Sequence, residues 1–294
     1  MWDNMSRTVI IAEIGECFNG DMKEARALIR TAREAGCDYA KFQTLDTEGI
    51  SEDDPEKEWL KKVALSRERL EQIKKCCEDE QIKFLCTPEN RKKAVELKEI
   101  GCREVKIAST CIWDKELIKY AVDNFPVIFI STGMTDLEEI DEVVSLCRGR
   151  EQVYLMHCVS EYPTGPLLEQ RGLKGLAHED VNMRMMDVLS QRYPWCITGY
   201  SDHTEGVLAP VVAVARGAGV VEKHITMDRS GPLCLFKSGQ QYMGTDHVLS
   251  LEPQELKQMV SMIRETEKIL GSSEWRRSRG ERVLMDFLKG RFSN

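Results

Sequence analysis

No stretch of the 294 residues approaches the roughly 18 consecutive apolar residues of a membrane span. The opening Met-Trp-Asp-Asn-Met-Ser-Arg also lacks the apolar run of an export signal. A cytoplasmic protein with no membrane partner is therefore expected. Basic charge is short: 41 Lys and Arg against 49 Asp and Glu give a formal charge of -8. That argues against an extended nucleic-acid surface and leaves room only for a local anion site. No Gly-x-Gly-x-x-Gly follows an apolar run, and no Walker-type loop occurs, so a nucleotide-binding sheet lacks support. Cysteine is plentiful, at 11, yet no Cys-x-x-Cys pair is present to suggest a structural zinc site. Cys86 and Cys158 sit in strand-like runs and Cys37 and Cys147 in helical ones, as reduced core thiols do.

The composition, 42% hydrophobic and 31% charged, is that of an ordinary globular protein. Along the chain, short apolar runs alternate with segments of helical period. Val9–Gly15 reads as a strand buried on both faces, Met22–Ala35 as a helix closed by Gly36, and Tyr39–Gln43 as the next strand. The pattern repeats: helix Glu58–Glu78, strand Lys83–Thr87, helix Arg91–Ile100, strand Glu104–Ile107, helix Asp114–Asn124, strand Val127–Ser131, helix Asp136–Cys147 and strand Val153–Cys158. After a long loop come helix Asn182–Tyr193, strand Ile197–Tyr200, a helix over Glu205–Gly219, strand Val220–His224 and helix Pro253–Leu270. About eight strands alternating with about eight helices point to an α/β fold, a (β/α)₈ TIM barrel over residues 1–272. An open doubly wound sheet is the alternative. Residues 273–294 form a short basic tail with one more helix over Glu281–Leu288.

Barrel chemistry sits where the strands end. That edge collects Glu13, Lys41, Gln43, Thr87, Lys106, Ser109, Ser131, Thr132, His157, Ser160, Ser201, His203 and His224. Lys41 and Lys106 lie in apolar runs at equivalent places, and two inward lysines among hydroxyls call for an anionic ligand, a phosphate or carboxylate. Ser131-Thr-Gly133 reads either as a helix cap or as a phosphate-favouring turn. His203 and His224 end consecutive strands joined by one helix. A single strand-end histidine is usually structural, but a pair on one sheet edge can hold a divalent cation.

These residues also fall into ordered motifs: Ile11-Ala-Glu-Ile-Gly15 with Asn19-Gly-Asp21, Ala40-Lys-Phe-Gln43, Cys86-Thr-Pro88, Val105-Lys-Ile-Ala-Ser109, Ser131-Thr-Gly-Met134, His157-Cys-Val-Ser-Glu-Tyr-Pro163, Gly199-Tyr-Ser-Asp-His-Thr204, Glu222-Lys-His224 and Ser250-Leu-Glu-Pro253. Spread over roughly residues 8 to 270, the set resembles the sialic acid synthase family, N-acetylneuraminate synthase and its relatives. The resemblance implies a barrel that condenses phosphoenolpyruvate with the open-chain aldehyde of an acylamino-hexose, giving a nonulosonic acid and phosphate. It further implies a divalent ion, Mn²⁺ or Mg²⁺, on His203 and His224. It implies phosphoenolpyruvate held by Lys41, Thr87, Lys106, Ser109, Ser131, Ser160 and Ser201, with Glu13, Gln43, Tyr162 and Asp246 around the metal and sugar. Glu13 would handle the proton of the attacking water. A homodimer is expected by analogy.

Three departures qualify the resemblance. Cys111 stands where the family motif commonly continues to a glutamate, and a thiol replaces neither a base nor a sugar ligand near neutral pH; a soft metal ligand is its other reading. The segments 165–180 and 229–245 are longer than in relatives and border the site mouth. The small C-terminal domain typical of the family, which resembles antifreeze proteins, has no counterpart beyond the barrel; the basic tail is read as a surface helix, or as an arm reaching a partner's site. Two other functions stay open. One is a related synthase acting on a sugar phosphate, for which Arg171, Lys174 and Lys237 would supply charge; the other is a non-catalytic ligand-binding barrel.

Overall fold

Eight apolar runs become parallel strands: β1 (Val9–Glu13), β2 (Tyr39–Thr44), β3 (Lys83–Pro88), β4 (Glu104–Ile107), β5 (Val127–Ser131), β6 (Gln152–Cys158), β7 (Ile197–Asp202) and β8 (Val220–His224). The structure, a computed structural model, describes residues 7–52, 57–163, 168, 171–230, 234–235, 241–242 and 245–292. Hydrogen bonding runs in the order β3-β2-β1-β8-β7-β6-β5-β4. The outermost strands, β3 and β4, lie against each other, which curls the sheet into a nearly closed barrel. Right-handed crossover through helices gives this arrangement its parallel strands.

The surrounding helices are α1 (Met22–Ala35), α2 (Lys57–Val63), α3 (Arg67–Asp79), α4 (Arg91–Glu99), α5 (Lys115–Asn124), α6 (Leu137–Leu146), α7 (Met185–Arg192), α8 (Leu208–Ala215), α9 (Thr245–Leu249) and α10 (Pro253–Leu270). Their ends follow local chemistry. Asp21 accepts from Lys23 N and Gly36, at φ 93°, terminates α1. Asp136 and Glu139 form a capping box on α6. The expected single helix Glu58–Glu78 is two, because Ser66 accepts from Arg69 N and starts α3 afresh after Ala64–Leu65. The helices expected over Asn182–Tyr193 and Glu205–Gly219 are shorter than their apolar periods. The segment 229–245 carries a small antiparallel ribbon, β9 (Cys234–Leu235) with β10 (Gln241–Tyr242), that the sequence did not suggest.

The outward strand faces and the helices enclose one large apolar layer, including Ile10, Leu28, Phe42, Ile73, Ile128 and Val221. Inside the barrel a second, smaller cluster forms a floor of Ile11, Tyr39, Leu85, Phe129, Met156 and Val220. Tyr154 stacks on Phe129 at 4.2 Å, and Tyr39 meets Phe129 edge-on at 5.5 Å. Each fully buried side chain of this size contributes about 1.5–3 kcal/mol. Because side chains alternate along a strand, the next inward position above each floor residue is fixed: Glu13 above Ile11, Lys41 above Tyr39, Thr87 above Leu85, Ser131 above Phe129 and Glu222 above Val220. The plug is thus apolar below and polar at the strands' carboxyl ends.

Beyond α10 the chain forms α11 (Arg279–Arg291), opened by a Ser278–Glu281 capping box. It contains the helix expected over Glu281–Leu288 and buries none of its residues. Among the described residues no helix is long and apolar enough to cross a membrane. The ten described cysteines are all unpaired and buried.

Candidate active site

Above the floor lies a cavity of about 220 Å³. Eleven of the expected site residues line it: Lys41, Gln43, Thr87, Lys106, Ser109, Ser131, Ser160, Tyr162, Ser201, His203 and His224. They come from strands and loops on every side of the ring, which only barrel closure brings together. Lys41 Nζ donates to Thr87 Oγ1 at 3.2 Å and sits 3.1 Å from both Glu13 Oε2 and Glu222 Oε1. Lys106 Nζ is 2.9 Å from the same Glu222 oxygen, to which Ser201 Oγ also donates at 3.0 Å. Opposite, Gly133 N donates to Ser109 Oγ at 3.0 Å. A Cβ on Gly133 would meet Ser160 Oγ at 2.0 Å and Ser109 Oγ at 2.8 Å, so only glycine lets these two hydroxyls converge. Ser131 Oγ is buried without a hydrogen-bond partner, a donor left for a ligand.

Electrostatics follow from burying this many charges together. Burial opposes ionisation of Lys41, yet Glu13 and Glu222 outweigh it and hold the ammonium charged. Burial lowers the pKa of Lys106, with Glu222 only partly compensating. Glu222, which burial alone would push up, is drawn well below the usual carboxylate range by Lys106 and Lys41. Glu13 behaves oppositely. Burial raises it to about 7 despite Lys41, helped by the neighbouring charge of Glu222. Gln43 Nε2 donates to Glu13 Oε1 at 2.7 Å. One carboxylate is therefore locked ionised and the other is poised near neutrality, as a general base should be.

The two histidine rings lie 5.5 Å apart, with Tyr162 beside His203 at 4.8 Å and His224 at 6.4 Å. His203 Nδ1 is held by Val159 O at 2.9 Å, which leaves Nε2 for another partner. His224 Nδ1 is buried without a hydrogen bond, 3.5 Å from Asp246 Oδ2. Burial and the neighbouring His203 push His224 well below the usual range, so its imidazole is neutral and able to ligate. Among the described residues no group of three or more His, Cys, Asp or Glu converges as a ready cage. Two imidazoles with an adjacent carboxylate fit a divalent cation whose remaining positions are filled by substrate or water oxygens.

A second cavity, about 190 Å³, adjoins the first across Gln43 and Tyr162. Gly15, Glu16, Leu45, Leu60, Val63 and Asp246 complete its wall. Among the described residues Lys41 and Lys106 are the only lysine or arginine side chains lining either cavity, and both line the first. A larger hollow, about 620 Å³, is an open groove between Trp275–Arg277 and α11 that shares no lining residue with either cavity.

Residues 28–275 match the profile of the NeuB family. The chain belongs to the NeuB family. An uncharacterized protein of Methanocaldococcus jannaschii is 37% identical over 91% of this chain and 73% of its own length. N,N'-diacetyllegionaminic acid synthase of Legionella pneumophila is 32% identical over 92% of this chain and 76% of its own. A crystal structure of N-acetylneuraminic acid synthetase from Leptospira borgpetersenii, in complex with citrate, superposes with a TM-score of 0.83 at 28% identity, covering 100% of this chain and 95% of that one.

Within this NeuB-family barrel three sequence expectations are corrected. His157 faces outward, bonded through Nε2 to Val181 O at 2.7 Å, and Cys158 takes the inward place in the cavity wall. Thr132 also turns away, its hydroxyl donating to Met156 O. Cys111 does not line the cavity: its thiol packs against the Pro88 and Glu89 carbonyls and Thr110 Oγ1, and Thr110 lines the wall instead. Glu222, quoted in the Glu-Lys-His motif but given no role, proves to be the carboxylate that bridges both lysines. Its spacing two residues before His224 was the available signal, since i and i+2 share a strand face. Of the extended segments, 164–167, 169–170, 231–233, 236–240 and 243–244 lie outside the described residues, Lys237 among them; the side chains of Arg171 and Lys174 line neither cavity.

Proposed function

We propose that this nonulosonic-acid-type synthase joins phosphoenolpyruvate to the open-chain aldehyde of an N-acylated amino-hexose that carries no phosphate, releasing inorganic phosphate and a nonulosonic acid. The observation that carries the choice of acceptor is the second cavity. Its polar wall is acidic (Glu16, Asp246) and its apolar wall is Leu45, Leu60 and Val63. Hydroxyls suit the first and an acyl methyl the second, whereas a phosphomonoester would sit against two carboxylates with no lysine or arginine in that wall to pair with it.

In this reading Lys41 and Lys106 bind the phosphate and carboxylate of phosphoenolpyruvate, and Ser109, Ser131, Ser160, Ser201 and Thr87 fix its orientation. The enol carbon forms a bond to the aldehyde carbon as the C=O π pair moves to oxygen, which takes a proton to become a hydroxyl, leaving cationic character at the carbon that bears the phosphate. Water adds there, and the C–O bond to phosphate then breaks. Glu13, near neutrality, takes the proton from that water, with Gln43 steering its carboxylate. Mn²⁺ or Mg²⁺ on His203 and His224, when bound, supplies Lewis-acid polarisation of the aldehyde. Asp246, beside His224, orients the acceptor. Tyr162 lines both cavities and packs tilted against the His203 ring.

The test is phosphate release from phosphoenolpyruvate with Mn²⁺ and a panel of acylamino-hexoses and sugar phosphates. Release with an unphosphorylated acylamino-hexose is expected. Release with sugar phosphates alone would overturn the acceptor assignment, and phosphoenolpyruvate binding without release from any acceptor would mark a non-catalytic barrel.

A further inference from the structure

Behind the two histidines, on the outward face of the same strands, lies a polar cluster that no step above uses. Asp202 and Lys223 are register partners across β7 and β8. Their side chains are 0% exposed and Lys223 Nζ lies 2.7 Å from Asp202 Oδ2. Tyr200 OH donates to Asp202 Oδ1 at 2.8 Å, Thr204 N donates to the same oxygen at 3.1 Å, and Thr204 Oγ1 donates to Oδ2 at 3.2 Å. Lys223 also donates to the Thr204 carbonyl.

The placement is specific. Asp202 and Thr204 flank His203, and Lys223 immediately precedes His224. The cluster therefore pins the backbone on both sides of one histidine to the backbone next to the other, from outside the cavity. A buried ion pair is weak evidence for stability, because apolar replacements of similar volume are often neutral or stabilising. Its better-attested use is to fix geometry. Strand pairing sets the backbone of Asp202 beside that of Lys223, but the β7–β8 register ends there, one residue short of His203 and His224.

Building on the reading that His203 and His224 hold a divalent cation, we propose that Asp202, Lys223, Tyr200 and Thr204 form a positioning clamp that sets the spacing of the two imidazoles and hence metal affinity. None of the four touches the metal or substrate. Groups that orient ligands from behind commonly tune metal affinity by 10–100-fold.

The test is Mn²⁺ affinity of the substrate-free protein by calorimetry, with thermal unfolding and phosphoenolpyruvate affinity measured alongside. Asp202→Asn keeps the volume and removes the charge, Tyr200→Phe removes one donor, and Asp202→Leu with Lys223→Met replaces the pair by apolar side chains. Expected are about tenfold weaker Mn²⁺ binding in Asp202→Asn and in the double variant, and several-fold weaker binding in Tyr200→Phe. Phosphoenolpyruvate affinity should change less than Mn²⁺ affinity, since Lys41 and Lys106 ride on β2 and β4 and, of the hydroxyls assigned to that substrate, only Ser201 rides on β7. A purely structural pair would lower the melting temperature and leave Mn²⁺ affinity of the folded protein unchanged. Mn²⁺ binding within twofold of wild type in the folded variants overturns the clamp; Tyr200→Phe, which keeps the ion pair, decides the matter if the other two do not fold. Absence of Mn²⁺ binding in the wild-type protein would instead overturn the two-histidine metal reading beneath it.

Discussion

Replacing Glu13 by Gln should make the protein more stable at alkaline pH while disabling it. Burial holds Glu13 at about 7 in the folded chain against an ordinary 4.5. Below pH 4.5 both folded and unfolded chains carry the proton. Between pH 4.5 and about 7 the folded state keeps a proton that the unfolded state has released, so stability falls as pH rises, and above about 7 the loss is complete. At about 1.4 kcal/mol per pH unit, the full gap corresponds to about 3 kcal/mol, taken as an upper figure. Glutamine has no proton to lose and preserves the shape of the protonated acid. Urea unfolding of both proteins across pH 5 to 8 isolates the effect, since other groups titrate equally in each. The variant's advantage should grow with pH by about 1–3 kcal/mol and level off above pH 7, while turnover falls by 10²-fold or more, as loss of a general base entails. A pH-independent difference, or a variant less stable than wild type at pH 8, would refute the reasoning.

His203→Ala and His224→Ala should each abolish Mn²⁺-dependent phosphate release, as exhaustive chelation should in the wild type; full activity in either metal-free variant would contradict the site. Lys106→Met should weaken phosphoenolpyruvate binding by about 10–100-fold, the value of one or two charge-assisted hydrogen bonds, measured by calorimetry. Cys111→Ala should leave kcat/KM within about twofold, because the thiol meets the Pro88 and Glu89 carbonyls and Thr110 Oγ1 without lining the cavity, and Thr110→Glu should raise the KM for phosphoenolpyruvate, because Thr110 lines the cavity assigned to that substrate.

The barrel was legible because its evidence is periodic. Strands such as Val127–Ser131 are continuous apolar runs, and helices such as Pro253–Leu270 carry both a stripe and a start signal in Pro253. The ring of site residues was legible for the same reason, since polar side chains in otherwise apolar strand ends have few places to go. What failed was parity. His157 stands at a strand end, but counting by twos from the floor residue Met156 puts Cys158, not His157, inside. Cys111 failed differently: Ser109–Cys111 is a 3₁₀ turn, where successive side chains rotate by about 120°, so strand alternation no longer tells which one faces the cavity. The break between α2 and α3 was hidden because Ser66 interrupts the helix without interrupting the apolar period.

The burial of ten free thiols has a practical corollary. Cys17, Cys86 and Cys147 are held in the core, and burial pushes Cys147 up to about 12, so a modifying reagent reaches them only through opening of the barrel. Cys158 lies in the wall of the ligand cavity. The rate at which the other thiols are labelled is then a clock for unfolding, and the separate labelling of Cys158 a gauge of whether that cavity is filled, both read from the native side chains without any attached dye.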